Sequence, residues 1–389
     1  MVIATAAKDF NYSVDSKRLL QKFSEGCDYV MSYYFYNELE RDPTGTISLT
    51  PSKVKFSDQY NPYMGGDLNG KTLLLWRSGG IGDLLFIQPN LIYLKQKYPD
   101  CKILFATSPK FVSMIRKWSC VDEALIFPMS INVFNSADYH LTFEGCIERT
   151  EEAETTNCYD IVSNWMGIDL PKDQRKPVLH ADPDISKLVA SYVKQMGFEP
   201  GNFICVQLRT SAPIRTPPSD VWKKILTRLV QKKYNLIITD STEKAYSIEV
   251  LKRIFWKSEA DKKRVGNFAK FSKDITFSIA LASMAKLVIA PDSALIHIAG
   301  GLGVPAFGIY GPFPGSIRME TYPNSDWIEP PDGTNLCHYG GKHCCLHGHY
   351  PCPYSILERK TFLDAGSSPC FFDIDCNHAI NKILKLLEN

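Results

Sequence analysis

WRSGGIGDLLFIQP at residues 76–89 and APDSALIHIAGGLGVPAFGIYGP at residues 290–312 are two glycine-punctuated strand-to-helix junctions, set far apart in the chain. Each reads as a buried strand, a tight loop and a helix start, a geometry that offers backbone N–H groups to an anion or a reacting hydroxyl. Around the first, TLLLW, a helix near 83–98, KILFA, a helix near 109–118 and EALIF alternate. Around the second, FICVQL, NLIIT, KLVIA and AFGIY alternate with helical stretches in the same way. That order predicts parallel strands joined by crossovers, an α/β chain of two doubly wound Rossmann-like domains facing across a cleft.

Between the two series, LPKDQRKPVLHADPDIS at 170–186 is rich in proline and charge, which sets a domain boundary near residue 186. The first domain is expected over 71–186 and the second over 187–336, with a Cys/His-rich segment and a C-terminal helix over 337–389. Residues 1–70 do not join the alternation. They read as an N-terminal extension with an amphipathic helix near 15–40, dense in aromatics from Tyr29 to Tyr36.

Lys and Arg total 44 against 42 Asp and Glu, a formal charge of +2, so nothing global in the charge points to nucleic acid or anionic lipid. A local basic patch is the only route left open to a nucleic-acid partner. The start, MVIATAAKDF, lacks a basic n-region, and no run of about 18 clean apolar residues occurs, so a cytoplasmic protein without a transmembrane segment is expected. Association with the inner membrane face would be peripheral.

The glycine loop departs from the common nucleotide fingerprints. Its glycines are Gly79, Gly80 and Gly82, not G-x-G-x-x-G, and no lysine succeeds Gly82 as a Walker loop requires. Asp83 occupies that position instead. On the first helical turn a carboxylate can cap the helix or, at a cleft mouth, take a proton from an attacking hydroxyl. The helix N-terminus favours its ionised form.

At the second junction, Ser293 and the backbone N–H groups of Ser293, Ala294 and Leu295 suit a diphosphate, whereas the Asp292 carboxylate suits sugar hydroxyls. His297 shares a helical face with Ser293 and could reach a phosphate or make a structural hydrogen bond. Gly311, after the next strand, would let backbone approach a ligand. In QLRTSAPIRTPPSDVW (207–222), Arg209 and Arg215 flank a loop where a guanidinium could clamp phosphate. Glu243 comes after NLIIT, where doubly wound folds contact a ribose hydroxyl or cap a helix.

GGIGDLLFIQP, the RTPPSDVW region and PDSALIHIAGGLGVPAFGIYGP resemble glycosyltransferase family 9, the ADP-heptose:lipopolysaccharide heptosyltransferases of GT-B fold, over about residues 71–325. The resemblance implies an inverting, metal-independent transfer from a nucleotide-diphosphate sugar, of ADP or UDP type, to a hydroxyl of a glycan or other acceptor. It implies Asp83 as the base and Asp292, Ser293 and Ala294 at the donor, with 71–186 the acceptor side and 187–336 the donor side. Two departures mark a diverged member. Ala294 stands where the family has glycine, and Arg215-Thr216-Pro217-Pro218 stands where it has K-x-W-P. No cofactor is required for catalysis on this reading.

The tail gathers Cys337, Cys344, Cys345, Cys352, Cys370 and Cys376 among histidines, a density that suits structural zinc, although the spacings match no standard pair of knuckles. Reduced thiols in loop packing and disulfides are the alternatives. The final HAINKILKLLEN is expected to be an amphipathic helix docked on the first domain, as GT-B proteins have it. Three rivals keep the scaffold and change the function: a nucleotide-sugar epimerase, a non-catalytic nucleotide or glycan binder, and a nucleic-acid-modifying glycosyltransferase.

Overall fold

The computed structural model describes residues 1–12, 21–40, 47–150, 153, 155–240, 247, 262–331 and 367–388. The chain divides into two units, one made of Met1–Ile147 and Val162–Leu170, the other of Glu148–Ile161 and Pro171–Asn389.

The first unit opens with short antiparallel strands. β1 (Val2–Ala6) pairs with β4 (Asp28–Met31) and β5 (Leu49–Pro51), while β2 (Phe10–Tyr12) pairs with β3 (Gln21–Phe23). Alternation along β1 explains the layering. Ala4 and Ala6 face a cluster with Phe10, Phe23, Tyr29 and Tyr36, whereas Ile3 turns the other way onto Leu74 and Trp76. Among the described residues of the expected helix over 15–40, only Tyr33–Glu40 is helical, and Tyr29 lies on a strand. A turn at Gly26 (φ 74°) reverses the chain between β3 and β4 and lets the aromatics before Tyr33 alternate across strands.

A four-stranded parallel sheet comes next, built from β6 (Thr72–Trp76), β7 (Lys102–Thr107), β8 (Glu123–Ile126) and, after β9 (Met129–Ser130) has joined the antiparallel sheet beside β4, β10 (Tyr139–Thr142). Its order is β10-β6-β7-β8. The chain thus grows from β6 to one side and then returns to place β10 on the other. His140 fastens Asn61 to this edge, with Nδ1 3.1 Å from the Asn61 N–H and Nε2 2.9 Å from the Phe134 carbonyl. Burial holds its pKa below the usual histidine value.

The second unit carries a six-stranded parallel sheet of β11 (Ile204–Val206), β12 (Leu236–Ile238), β13 (Val265–Asn267), β14 (Leu287–Pro291), β15 (Ala306–Ile309) and β16 (Ser325–Ile328). Its order, β13-β12-β11-β14-β15-β16, is the 3-2-1-4-5-6 arrangement of a Rossmann sheet. Helix Ser219–Gln231 buries Val221, Trp222, Ile225, Leu226 and Leu229 on one face of it. The C-terminal helix Cys376–Glu388 shares that core through Ala379, Ile380, Ile383 and Leu387, and Lys382 donates to Asp326 on β16 at 2.8 Å. This helix docks on the second unit, whereas the family resemblance implies the first domain. Its apolar stripe finds its partner next to helix Ser219–Gln231. Among the described residues, no helix is long and apolar enough to cross a membrane.

Candidate active site

In an open doubly wound sheet, ligands bind at the carboxyl ends of the strands where the strand order reverses. In the second unit that point lies between β11 and β14. The loops leaving these two strands are tied together by Ser293, whose hydroxyl donates to Gln207 Oε1 at 2.9 Å. Because this hydroxyl is engaged there, Ser293 makes no side-chain cap on helix Ala294–Leu302. An anion at the first turn would meet backbone N–H groups that Ser293 does not cover.

Asp292 sits beside it, buried between two arginines. Arg215 Nη1 donates to the Asp292 carbonyl at 3.1 Å and to Oδ2 at 3.4 Å, and Arg318 Nε stands 3.9 Å from Oδ1. Burial alone would raise the Asp292 pKa, but the positive charges of Arg215 and Arg318, with His297, outweigh it and hold the carboxyl below the ordinary aspartate range. A carboxylate so enclosed serves to hold guanidinium groups more readily than sugar hydroxyls.

His297 is turned inward. Its Nδ1 lies 2.7 Å from the Tyr322 hydroxyl, which lies 2.8 Å from that of Tyr159. Burial depresses its pKa to about 4, so the ring is neutral near pH 7, and Nδ1 takes the structural hydrogen bond. Gly311 is likewise a packing position. A Cβ there would run into the Phe371 ring, so the close approach is by the segment Pro369–Asp373 and not by a ligand.

Arg209 lies just after β11 and faces Asp240, with Nε 3.7 Å from Oδ1. Asp240 Oδ2 accepts the Leu208 N–H at 2.5 Å. Burial pushes the Asp240 pKa up to about 6, against the Leu208 hydrogen bond and the Arg209 charge. The Nε atoms of Arg209 and Arg215 are both buried without a hydrogen-bond partner. Two unsatisfied cationic donors on the loop after β11 are costly unless an acceptor arrives.

The first unit repeats the plan at its own reversal, between β6 and β10. Arg77, buried, sends Nη2 to Asp83 Oδ2 at 2.9 Å, Nε to the Gly79 carbonyl at 2.9 Å and Nη1 to the Phe143 carbonyl at 2.6 Å. The Ser78 N–H donates to Glu144 Oε1 at 2.5 Å. Gly80 opens helix Ile81–Lys97 with φ 78°, and a Cβ on it would strike the Asp83 carboxylate. Asp83 is thus clamped by an arginine and keeps 26% of its side chain exposed. Gly79 serves through its carbonyl, and Gly82 lies within the first turn of the helix.

Sequence reading missed Arg77 and Glu144 here, and Gln207, Asp240 and Arg318 in the second unit. Arg77 stood inside the quoted glycine stretch, and Asp240 stood three residues before the chosen Glu243. Glu243 lies outside the described residues, as do Cys337, Cys344, Cys345 and Cys352. Of the tail thiols that are described, Cys376 packs in the hydrophobic core with its pKa raised by burial, and Cys370 Sγ lies 2.7 Å from the Ser368 hydroxyl. Among the described residues, no group of three His, Cys, Asp or Glu is arranged to hold a metal.

The family model for glycosyltransferase family 9 (heptosyltransferase) matches residues 154–325, a stretch that includes Arg209, Arg215, Asp292 and Arg318. Over those residues the chain is similar to the family 9 glycosyltransferases. Glycosyl transfer is accordingly its class of activity. A family 9 glycosyl transferase from Veillonella parvula is similar in fold, at TM-score 0.60 and 13% identity, with 83% of this chain and 99% of that one covered. So is the ADP-heptose lps heptosyltransferase II of E. coli, at TM-score 0.57 and 13% identity, covering 82% and 98%. TibC, an iron-containing dodecameric glycosyltransferase from enterotoxigenic E. coli, covers 100% of this chain and 90% of its own at TM-score 0.53 and 12% identity. No curated protein matches the sequence. These likenesses fit the GT-B architecture of two Rossmann-like units in one chain.

Proposed function

We propose that this chain transfers a sugar from a nucleoside-diphosphate sugar to an acceptor hydroxyl, inverting the anomeric centre and using no metal for the transfer. The observation that carries the reading is the pair of buried Nε donors of Arg209 and Arg215, neither of which makes a hydrogen bond, beside a helix start that Ser293 leaves uncapped. Fixed donors of this kind stabilise charge that grows on a leaving diphosphate, the task a divalent cation performs elsewhere. Ala294 at the first turn adds its backbone N–H. An adenosine diphosphate donor is supported by TibC, which carries ADP-D-beta-D-heptose in a related structure.

Asp83 accepts the proton of the acceptor hydroxyl as that oxygen attacks the anomeric carbon from the face opposite the diphosphate. Arg77 fixes the carboxylate in place for this step. The acceptor is a glycan or another hydroxyl-bearing molecule, met in the cytoplasm or at the inner membrane face. Nucleotide sugars screened by calorimetry and turnover test the proposal. Asp83→Asn is expected to bind the preferred donor as wild type does and to transfer none of it; normal turnover by that variant rejects Asp83 as base. Conversion of the donor without any acceptor would instead favour an epimerase.

For the tail we propose a structural metal held by thiolates drawn from Cys337, Cys344, Cys345, Cys352, Cys370 and Cys376. Zinc fits such a thiolate set. Elemental analysis of the purified protein checks this: one equivalent of zinc is expected, iron would align the site with that of TibC, and no metal would reject it.

A further inference from the structure

Arg318 has no part in the donor reading above, yet it is one of only two guanidinium groups within 4.0 Å of the Asp292 carboxylate among the described residues. It belongs to the short helix Ser316–Met319 after β15 and is buried. Its other atoms are fixed within the same unit. Nη1 donates to Cys158 Sγ at 2.7 Å, Nη2 reaches the Ala153 carbonyl at 3.4 Å, and the guanidinium lies 5.1 Å from the centre of the Phe313 ring. So anchored, Arg318 is held with its Nε toward the Asp292 carboxylate.

The charge balance gives that contact a consequence. Asp292 carries one negative charge, and Arg215 and Arg318 face it from Oδ2 and Oδ1. His297, which also acts on it, is neutral near pH 7, as are the buried Tyr310 and Tyr322, whose pKa values burial raises. If Arg215 were alone with Asp292, the pair would sum to zero and would offer a diphosphate little. With Arg318 sharing the carboxylate, one positive charge remains, and Arg215 carries it on the side with the unpartnered Nε. The Asp292 carbonyl, 3.1 Å from Nη1, holds Arg215 in position independently of the carboxylate.

We propose that Arg318 is a positioning residue for donor binding: it shares the Asp292 carboxylate and so keeps Arg215 charged toward the leaving diphosphate. This inference rests on the reading of the second unit as a nucleoside-diphosphate site, and its test separates the two. ADP and UDP are titrated by calorimetry into wild type, Arg318→Gln, Asp292→Asn and the double variant. Arg318→Gln is expected to weaken the better-bound nucleotide about 10-fold, and the same change made in the Asp292→Asn background to alter it by less than about 2-fold. A merely structural role would cost the same in both backgrounds, and that result overturns the proposal, as does unaltered affinity in the single variant. Should Arg318→Gln fail to fold, Arg318→Lys keeps the charge and loses the fork; it is expected to retain affinity within about 3-fold, and a loss as large as about 10-fold overturns the charge-sharing account. Failure of wild type to bind either nucleotide would reject the donor site itself.

Discussion

The two strand-order reversals use the same pair of residue types to opposite ends. In the first unit Arg77 is saturated: one carboxylate and two carbonyls take its three nitrogens, and the side chain is 4% exposed. In the second unit Arg215 meets Asp292 through a single nitrogen, is 20% exposed, and keeps a buried Nε with no acceptor. A saturated arginine fixes a carboxylate, which is what a base needs. An unsaturated one waits for an anion, which is what a leaving group needs.

Breaking each arginine should expose this difference most strongly. Arg77→Met removes the ion pair to the Asp83 carboxylate and the donors to the Gly79 and Phe143 carbonyls, the latter keeping the Cys146 N–H, at a cost of about 3–5 kcal/mol in urea unfolding. Arg215→Met should cost less than about 2 kcal/mol, because Arg318 still faces Asp292. The reverse ranking would break the comparison. Gly80→Ala comes next: the φ of 78° and the collision with Asp83 are expected to cost about 1–3 kcal/mol and to reduce transfer while leaving donor affinity alone. A fall in nucleotide affinity would mean that the first loop serves the diphosphate.

Asp240 sharpens the second unit further. Its folded pKa of about 6 stands above the ordinary 3.8, so the native state binds the extra proton between those values. The contribution of this group to stability is therefore greatest at low pH, falls as pH rises through that window and is level above it. Subtracting the Asp240→Asn melting curve from that of wild type should reveal this slope between pH 4 and 6; a flat difference would mean that Asp240 is not buried beside Arg209 as described. Ala294→Gly, which restores the residue usual in the family, should matter least. At a helix start it is expected to lower stability by about 0.5–1 kcal/mol in thermal unfolding and to leave nucleotide affinity nearly unchanged.

Much of the fold was legible because parallel strands buried on both faces read as continuous apolar runs, as LVIA at 287–290 and TLLLW at 72–76 do. The antiparallel strands before residue 52 were not legible, since three- to five-residue strands carry too little alternation and the aromatics of Tyr29–Tyr36 imitate a helical face. Of the site, Asp83, Arg215 and Asp292 stood out by position after glycine or at a strand end. Arg318 and Glu144 did not, because their partners lie far away in the sequence and only the folded sheet brings them together. The C-terminal helix was legible as a helix but not in its docking, which depends on the matching stripe of helix Ser219–Gln231.

The central claim is that the second unit's unsatisfied arginines hold the diphosphate. Titrating ADP into wild type and into the Arg209→Gln/Arg215→Gln double variant measures it directly. The account predicts a loss of affinity of about 100-fold in the double variant. Equal binding by the two proteins would contradict it.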